Sequence, residues 1–371
     1  MILNADFHIH SPFSMATSGA ITPFSLLETC RIKGISVLGC GDALHPEWRM
    51  MWEDFLDNDN GVIIVPSMEV QGEKRVHHLI LMEDFDQCAQ LSDLMRPYSK
   101  NIDTAGRPNI SLSGEDIAGM VHETGGMVGP AHAFTPWTGM YGHFNNVSEC
   151  YGEEKINFLE LGLSADSSYG AGIGNLRDVP FLTNSDAHSA SVHKLGREFN
   201  RIKCGEQSVT SVLECIRSGD IVMNAGFFPE EGKYNRTACT RCYRQFSPAE
   251  AEKYGWKCPD DKGKIKLGVR DRAFLNSDSD AGERPPYLHI IPLGEIIQKI
   301  LGVSSPKTRK CRSLYMSLIE SFGNEIAILT DVKVSEIREI DSAVADGIHA
   351  LRSGQVTLYP GGGGKYGSFS F

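Results

Sequence analysis

The sequence predicts an α/β fold, a small β/α barrel of seven or so strands with an appended cysteine knuckle and a helical C-terminal unit. Three observations carry that prediction. From Met1 to about Asn235 apolar strand-like runs alternate with helical segments. Metal-ligand residues stand just past the ends of those runs, where parallel barrels build their sites. After Asn235 the composition turns polar, basic and cysteine-bearing before apolar residues return at helical spacing.

The strand candidates are Leu3 to His10, Ser36 to Gly41, Val62 to Val70, Val76 to Met82, Gly126 to His132, Ile156 to Leu163 and Val179 to Ser185. Between them Thr22-Pro23 opens a helix to about Lys33, with Thr22 as its cap and Pro23 in its first position. Ser113 opens another, which runs to about Thr124 and stops at Gly125-Gly126. The barrel is expected over 1–235, the knuckle over 236–272 and the helical unit over 273–371. Gly282 to Pro286 reads as a linker. Helical spacing then appears in Leu293, Ile296, Ile297, Ile300 and Leu301, and again in Leu314, Leu318 and Ile319. For the glycine run of 360–367 two readings stay open, a flexible tail or a loop that presents amides to a phosphate.

With 371 residues and 41% hydrophobic content the chain can bury a large core in two or three units. Met1-Ile2-Leu3 leads straight into Asp6 and His8, and no apolar run approaches the length that spans a bilayer, so an intracellular, cytoplasmic protein is expected. Cys30, Cys40, Cys88, Cys150, Cys204, Cys215 and Cys311 are scattered without framework spacing and are expected to be reduced thiols. The net charge of −11 is unevenly spread. Between Arg236 and Arg312 there are 16 lysines and arginines against 9 acids, and elsewhere 20 against 38. The acidic part carries the metal ligands; the basic part suits a polyanion.

His8 and His10 are spaced i, i+2, so on an extended strand both imidazoles leave one face and can share a divalent ion. Asp186 and His188 repeat that spacing, Glu69 ends the run from Val62, and His132 ends Pro130-Ala131-His132. Two exposed histidines alone need no metal. The set His8, His10, Asp42, Glu69, His78, His132, Asp186 and His188, all at strand ends, points to a polynuclear site. Mixed imidazole and carboxylate ligation suits two or three ions of zinc, manganese or iron, with magnesium at oxygen-rich positions. Such ions acidify a water and neutralise a phosphate, so hydrolysis of a phosphate ester is the natural chemistry, with Asp186, His188, His132 and Glu69 at its centre.

In their order these motifs resemble the polymerase and histidinol phosphatase (PHP) superfamily, whose members have a distorted seven-stranded barrel with up to three metals. One motif departs: the family commonly has Thr-Asp-His where this chain has Gly41-Asp42-Ala43, and His45 is the nearest replacement for the missing histidine. At adjacent His77 and His78 the family pattern of His before two aliphatics selects His78, which precedes Leu79-Ile80. The longer chain resembles the endonuclease Q family, through Leu195-Gly196-Arg197-Glu198-Phe199-Asn200, Gly268-Val269-Arg270-Asp271-Arg272 and Tyr287-Leu288-His289-Ile290-Ile291-Pro292-Leu293. That resemblance implies a DNA-repair endonuclease that cuts 5′ to hypoxanthine, uracil, xanthine or abasic sites.

Cys239, Cys242 and Cys258 have zinc-ribbon spacing, and the fourth position holds Asp261, a competent zinc ligand, with Asp260 or water as the alternatives. Phosphate contacts are expected from Lys262, Lys264, Lys266, Arg270, Arg272, Lys307, Arg309, Lys310 and Arg312, positioning damaged DNA without reading its sequence. The damaged base is expected to leave the stack for a pocket beside the metals, with Ser164 to Tyr169 and the segment after Asp186 as candidate walls and Arg197 nearby. A sliding clamp stays an open partner, since Phe369-Ser370-Phe371 shows no clear clamp motif, and no membrane is expected. The competing enzyme reading is a PHP-type small-molecule phosphatase of histidinol phosphate type; the competing non-enzymatic reading is a DNA-binding scaffold with a decayed site.

Overall fold

Each of the seven apolar runs becomes a stave of one barrel, shorter than the run that announced it. The structure is a computed structural model that describes residues 1–56 and 61–371. The staves are β1 (Ile2–Asp6), β2 (Val37–Gly39), β3 (Ile63–Val65) with β4 (Ser67–Gln71), β5 (His77–Leu81), β6 (Met127–Pro130), β7 (Leu159–Glu160) and β8 (Phe181–Leu182). The first three are parallel, with Asp6 opposite Leu38 and Leu38 opposite Ile64. Past Pro66 the chain continues as β4, which pairs antiparallel with β5, and β5 with β6; β7 and β8 are parallel.

A few isolated hydrogen bonds, in place of continuous ladders, join these segments, which is the distortion. Between β6 and β7 the Ala133 N–H donates to the Glu160 carbonyl at 2.7 Å. Where the continuation of β8 meets that of β1, the Phe7 N–H donates to Asn184 Oδ1 at 2.9 Å and the His10 N–H to the Ala187 carbonyl at 2.9 Å. Alternate strand residues divide between two apolar clusters, with Val37, Leu79, Met127 and Leu182 in one and Leu38, Ile80, Val128 and Phe181 in the other. The staves are therefore buried on both faces, as the continuous apolar runs require.

The helix Pro23–Lys33 starts under a Thr22 cap with a reciprocal Ser25 bond, and Gly114–Glu123 starts under Ser113 with Asp116 returning the bond. On the outer side of β1, β9 (Phe199–Lys203) and β10 (Ile221–Gly226) extend the sheet antiparallel. The knuckle is a short hairpin of β11 (Ala238–Cys239) and β12 (Ile265–Lys266) over its own small core of Phe246, Ala251 and Ile265.

The predicted linker is bound to the barrel. Arg284 donates to the carbonyls of Val179 and Leu176, and the following β13 (Tyr287–His289) pairs parallel with β10. Five helices then follow, Leu293–Leu301, Arg309–Phe322, Glu325–Thr330, Val334–Ile340 and Ser342–Arg352, around a core that includes Ile297, Leu318, Ile337 and Ile348. A buried ion pair, Lys33 Nζ to Glu325 Oε1 at 2.7 Å, fastens this unit to the barrel's first helix. The glycine run is a docked loop between β14 (Thr357–Tyr359) and β15 (Ser368–Ser370). Its Gly361 N–H donates to Glu230, and at Gly363, with φ +66°, a Cβ would lie 2.2 Å from the Cys239 carbonyl oxygen.

Candidate active site

Strand ends bring six of the predicted ligands to one place: His8, His10, Glu69, His132, Asp186 and His188. Three overlapping sets have their ligand atoms within 4.8 Å of one another: His8, His10 and Glu69; His10, Asp186 and His188; and Glu69, His77 and His132. Glu69 and His10 are each shared. A shared carboxylate can serve two adjacent ions, one through each oxygen, whereas His10, with its Nδ1 on Asp42, can serve only one of the two sets it belongs to.

His77, rather than His78, belongs to this centre. In the antiparallel pairing of β4 and β5, His77 lies opposite Gln71 and His78 opposite Val70. Gln71 shares a face with Glu69, so alternation sends His77 to the ligands and His78 away from them. His77 Nδ1 is 2.8 Å from Glu69 Oε1, whereas His78 Nδ1 meets the buried Tyr151 hydroxyl at 2.7 Å. Two other expectations change. Asp42 sits behind His10: its Oδ1 is 3.0 Å from His10 Nδ1, and its Oδ2 accepts from the Ser11 N–H and from the hydroxyls of Ser11 and Ser14. His45 stacks on Phe13, with ring centroids 3.8 Å apart, and is absent from the ligand sets.

Two further residues of the site were missed in the sequence. Glu160, buried in β7, places its carboxylate 3.0 Å from His8 Nδ1 and accepts from the His132 N–H at 2.7 Å and from Asn184 Nδ2 at 2.8 Å. An acid inside the apolar run Phe158-Leu159-Glu160-Leu161 was the available signal. Arg107 donates to Glu69 Oε2 at 2.9 Å from a loop without any distinguishing motif.

The residues fit a metal group. Glu160 and Asp42 hold the Nδ1 atoms of His8 and His10, and the Nε2 atoms left over are buried without a hydrogen-bond partner, as is His132 Nδ1. Buried unpaired ring nitrogens are costly, and a carboxylate on the opposite ring nitrogen is the usual support of a metal-binding imidazole. The electrostatics agree. Burial works against charge on His8, but Glu160, Glu69 and Asp186 outweigh it and raise its pKa to about 9. Burial likewise opposes ionisation of Glu69, yet His77, His132 and His8 carry its pKa well below the usual range. Backbone strain also collects here: Asp42, His132 and Asp186 have φ of +49°, +31° and +46°, a conformation that costs free energy and that persists where surrounding contacts impose it.

The second cluster is the knuckle, where Cys239, Cys242, Cys258 and Asp261 have ligand atoms within 4.8 Å of one another. Asp260 instead pairs with Arg244 at 2.8 Å. The Gly263 N–H donates to Asp261 Oδ1 and the Arg241 N–H to Cys239 Sγ, so backbone donors orient both. Three thiolates and a carboxylate suit zinc.

Beside the metal-ligand cluster lies a cleft of 880 Å³. Trp137, Phe227, Tyr234 and Tyr366 give it aromatic walls, and the cations Arg75, Lys194, Arg197 and Lys233 outnumber the acids Glu231 and Glu295 in its lining. Arg197 Nε donates to the Ser185 carbonyl at 2.8 Å, which ties the cleft to the strand end bearing Asp186. Of the predicted wall Ser164 to Tyr169, only Ser164 lines the cleft; Asp166 pairs with His289, and the Tyr169 hydroxyl accepts from Asn235.

The predicted phosphate contacts divide. Lys262, Lys264, Lys307, Arg309, Lys310 and Arg312 are exposed. Lys266 lies over the Trp137 ring and Arg270 pairs with Asp271, so these two are engaged within the protein, while Arg272 is half-buried and lines a hollow beside Trp137 and Lys266. Among the described residues no helix is long and apolar enough to cross a membrane.

A β/α barrel with a histidine–carboxylate centre for several metals defines a PHP-type metal-dependent phosphoesterase. The family model described as the MJ0043 C-terminal domain matches residues 292–355. The protein MJ0043 of Methanocaldococcus jannaschii is 42% identical over 248 residues, covering 65% of this chain; the chain spans 31% of that protein's length. YqxK of Bacillus subtilis is 31% identical across 98% of both chains. The lesion-specific endonuclease PfuEndoQ of Pyrococcus furiosus superposes with a TM-score of 0.97 at 39% identity, over 100% of this chain and 96% of that one. An endonuclease Q bound to a 27-mer duplex with an abasic lesion at its active site gives 0.94 at 39% identity, over 100% and 97%. The chain belongs to the endonuclease Q family.

Proposed function

We propose that the protein is an intracellular DNA-repair endonuclease that hydrolyses the phosphodiester 5′ to deaminated bases, namely hypoxanthine, uracil and xanthine, and at abasic sites. The observation that carries this reading is the aromatic, basic cleft opening beside the metal-ligand cluster. A nucleotide taken out of the duplex needs an aromatic surface for its base and cations for its phosphates, and both stand there together.

His8, His10, Glu69, His77, His132, Asp186 and His188 hold two or three divalent ions, of zinc, manganese, iron or magnesium. When bound, these ions supply the positive charge that stabilises the phosphoryl group and its leaving oxygen during hydrolysis. Glu160 and Asp42 fix the rings of His8 and His10, and Arg107 partly neutralises Glu69. Arg197 bridges the Asp186 strand end and the cleft, where it orients the phosphate flanking the lesion. A structural zinc on Cys239, Cys242, Cys258 and Asp261 keeps the knuckle folded, and Lys262 and Lys264 on it, with Lys307, Arg309, Lys310 and Arg312, contact the duplex backbone.

The test uses end-labelled duplexes that carry uracil, hypoxanthine, an abasic site or no lesion, incubated with magnesium or manganese. Cutting 5′ to the lesion and sparing of the intact duplex are expected. Equal cutting of all four, cutting of none, or activity confined to a chromogenic phosphomonoester would refute it.

A further inference from the structure

At the opposite end of β1 from its histidines, two thiols that the nuclease reading leaves without a role lie side by side. The Sγ atoms of Cys204 and Cys215 are 2.9 Å apart, and a disulfide bond of about 2.05 Å is a short displacement away. Both residues are buried, 2% and 5% exposed. Neither is free to drift. Cys204 follows β9 and is tied twice to Met1, whose terminal amine donates to the Cys204 carbonyl at 2.6 Å while the Cys204 N–H returns a bond at 3.0 Å. Cys215 lies within the helix Val209–Ser218, and its carbonyl accepts from the Asp220 N–H at 2.9 Å. Cys215 also borders a surface hollow of 460 Å³ lined by Lys203, Glu206, Ser211 and Asp220, which gives a small reagent access to it.

We propose that Cys204 and Cys215 are a reversible dithiol–disulfide pair, a redox-controlled staple between β9 and the helix packed behind it. The oxidant is a low-molecular-weight disulfide of the glutathione class. Cys215, reached through the hollow, gives up its proton and attacks that disulfide, forming a mixed disulfide and releasing one small thiol. Cys204 then loses its proton and attacks the Cys215 sulfur, forming the protein disulfide and releasing the second small thiol. Two protein thiols are oxidised and one small disulfide is reduced to two thiols, so protons and electrons balance. The bond closes a short loop and restricts the unfolded chain, so the oxidised protein resists heat better. The ligands stand at the other end of β1, so the cleavage rate does not change.

Lys203 and Arg217 bracket both cysteines in one tryptic peptide, and Glu206 offers a cut inside the loop. The full-length, zinc-loaded protein is equilibrated with oxidised glutathione, quenched with acid, unfolded, alkylated and digested. The expected peptide is two hydrogens lighter, carries no alkyl group, and after cleavage at Glu206 gives two pieces held together until dithiothreitol is added. A rise of a few degrees in thermal midpoint on oxidation, absent from Cys204→Ser and Cys215→Ser, is expected beside it. Full alkylation of both cysteines after oxidation, or a glutathione adduct on Cys215 without the internal bond, would overturn the proposal. The wild-type midpoint shift surviving in either serine variant would overturn it as well.

Discussion

The adjacent histidines of β5 provide the sharpest test of the site, because family spacing selects His78 and strand geometry selects His77. His77→Asn removes one of the three groups gathered as Glu69, His77 and His132. Loss of an outer partner that merely orients a ligand costs about 10–100-fold in metal affinity or activity. Removal of an imidazole that faces the site should cost at least the upper end of that range, with a fall in bound metal. His78→Leu replaces a ring that is already neutral, since burial, with His77 beside it, pushes its pKa down to about 3. What disappears is the 2.7 Å bond to the Tyr151 hydroxyl, which leaves a buried phenol unpaired. That costs about 1–3 kcal/mol, a fall of several degrees in thermal midpoint with metal content preserved. The assay is metal analysis beside single-turnover cleavage of an abasic duplex. If His78→Leu strips the metal while His77→Asn keeps metal and rate, the facing argument is wrong.

Three other outcomes are expected. Cys242→Ser should release zinc and loosen residues 239–263 while the barrel stays folded; unchanged zinc content would count against the site. Burial pushes the Glu198 carboxyl up to about 8 from its ordinary 4.5. Because the folded value lies above the unfolded one, the associated stability is complete below pH 4.5 and is lost as pH rises through 8, on the order of 3–5 kcal/mol. Glu198→Gln should therefore be more stable than the parent above pH 8 and similar to it near pH 5, and denaturant midpoints that follow the same pH course in both proteins would refute the assignment. Arg309→Ala with Lys310→Ala should weaken binding to damaged and intact duplexes alike and flatten the dependence of log affinity on log salt by about 0.9 per lost phosphate contact; a loss confined to damaged DNA would contradict a phosphate role.

The barrel was legible because its staves are apolar on both faces and end abruptly in polar residues, a pattern that survives without any alignment. Six residues of the metal-compatible sets were legible for the same reason. His77 was not, because a motif records which residues adjoin and strand pairing decides which way they point; only the register with β4 separates it from His78. Asp42 was recognised as part of the site and assigned the wrong task, since a carboxylate that holds a ring and one that faces a metal are the same letter. Arg107 came from a loop whose approach depends on packing, including Gly106, where a Cβ would lie 2.1 Å from Asp42 Oδ2. The glycine run stayed undecided in the sequence because its freedom is spent on close backbone approach to Glu230 and Cys239, which no local pattern announces.

The Glu160 carboxylate reaches three strands at once: the imidazole of His8 after β1, the backbone of His132 after β6, and Asn184 after β8, whose own oxygen holds Phe7. Those are the seams where the barrel has the fewest ladder hydrogen bonds. Glu160 therefore couples closure of these seams to the placing of His8 and of the His132 backbone, while Glu69, His77 and His132 meet on the continuous β4–β5–β6 sheet. The linkage runs both ways, because ions that bind only the closed form draw the barrel shut. Amide exchange in β7 and β8 should therefore slow when divalent metal is added, and unchanged exchange there would contradict the linkage.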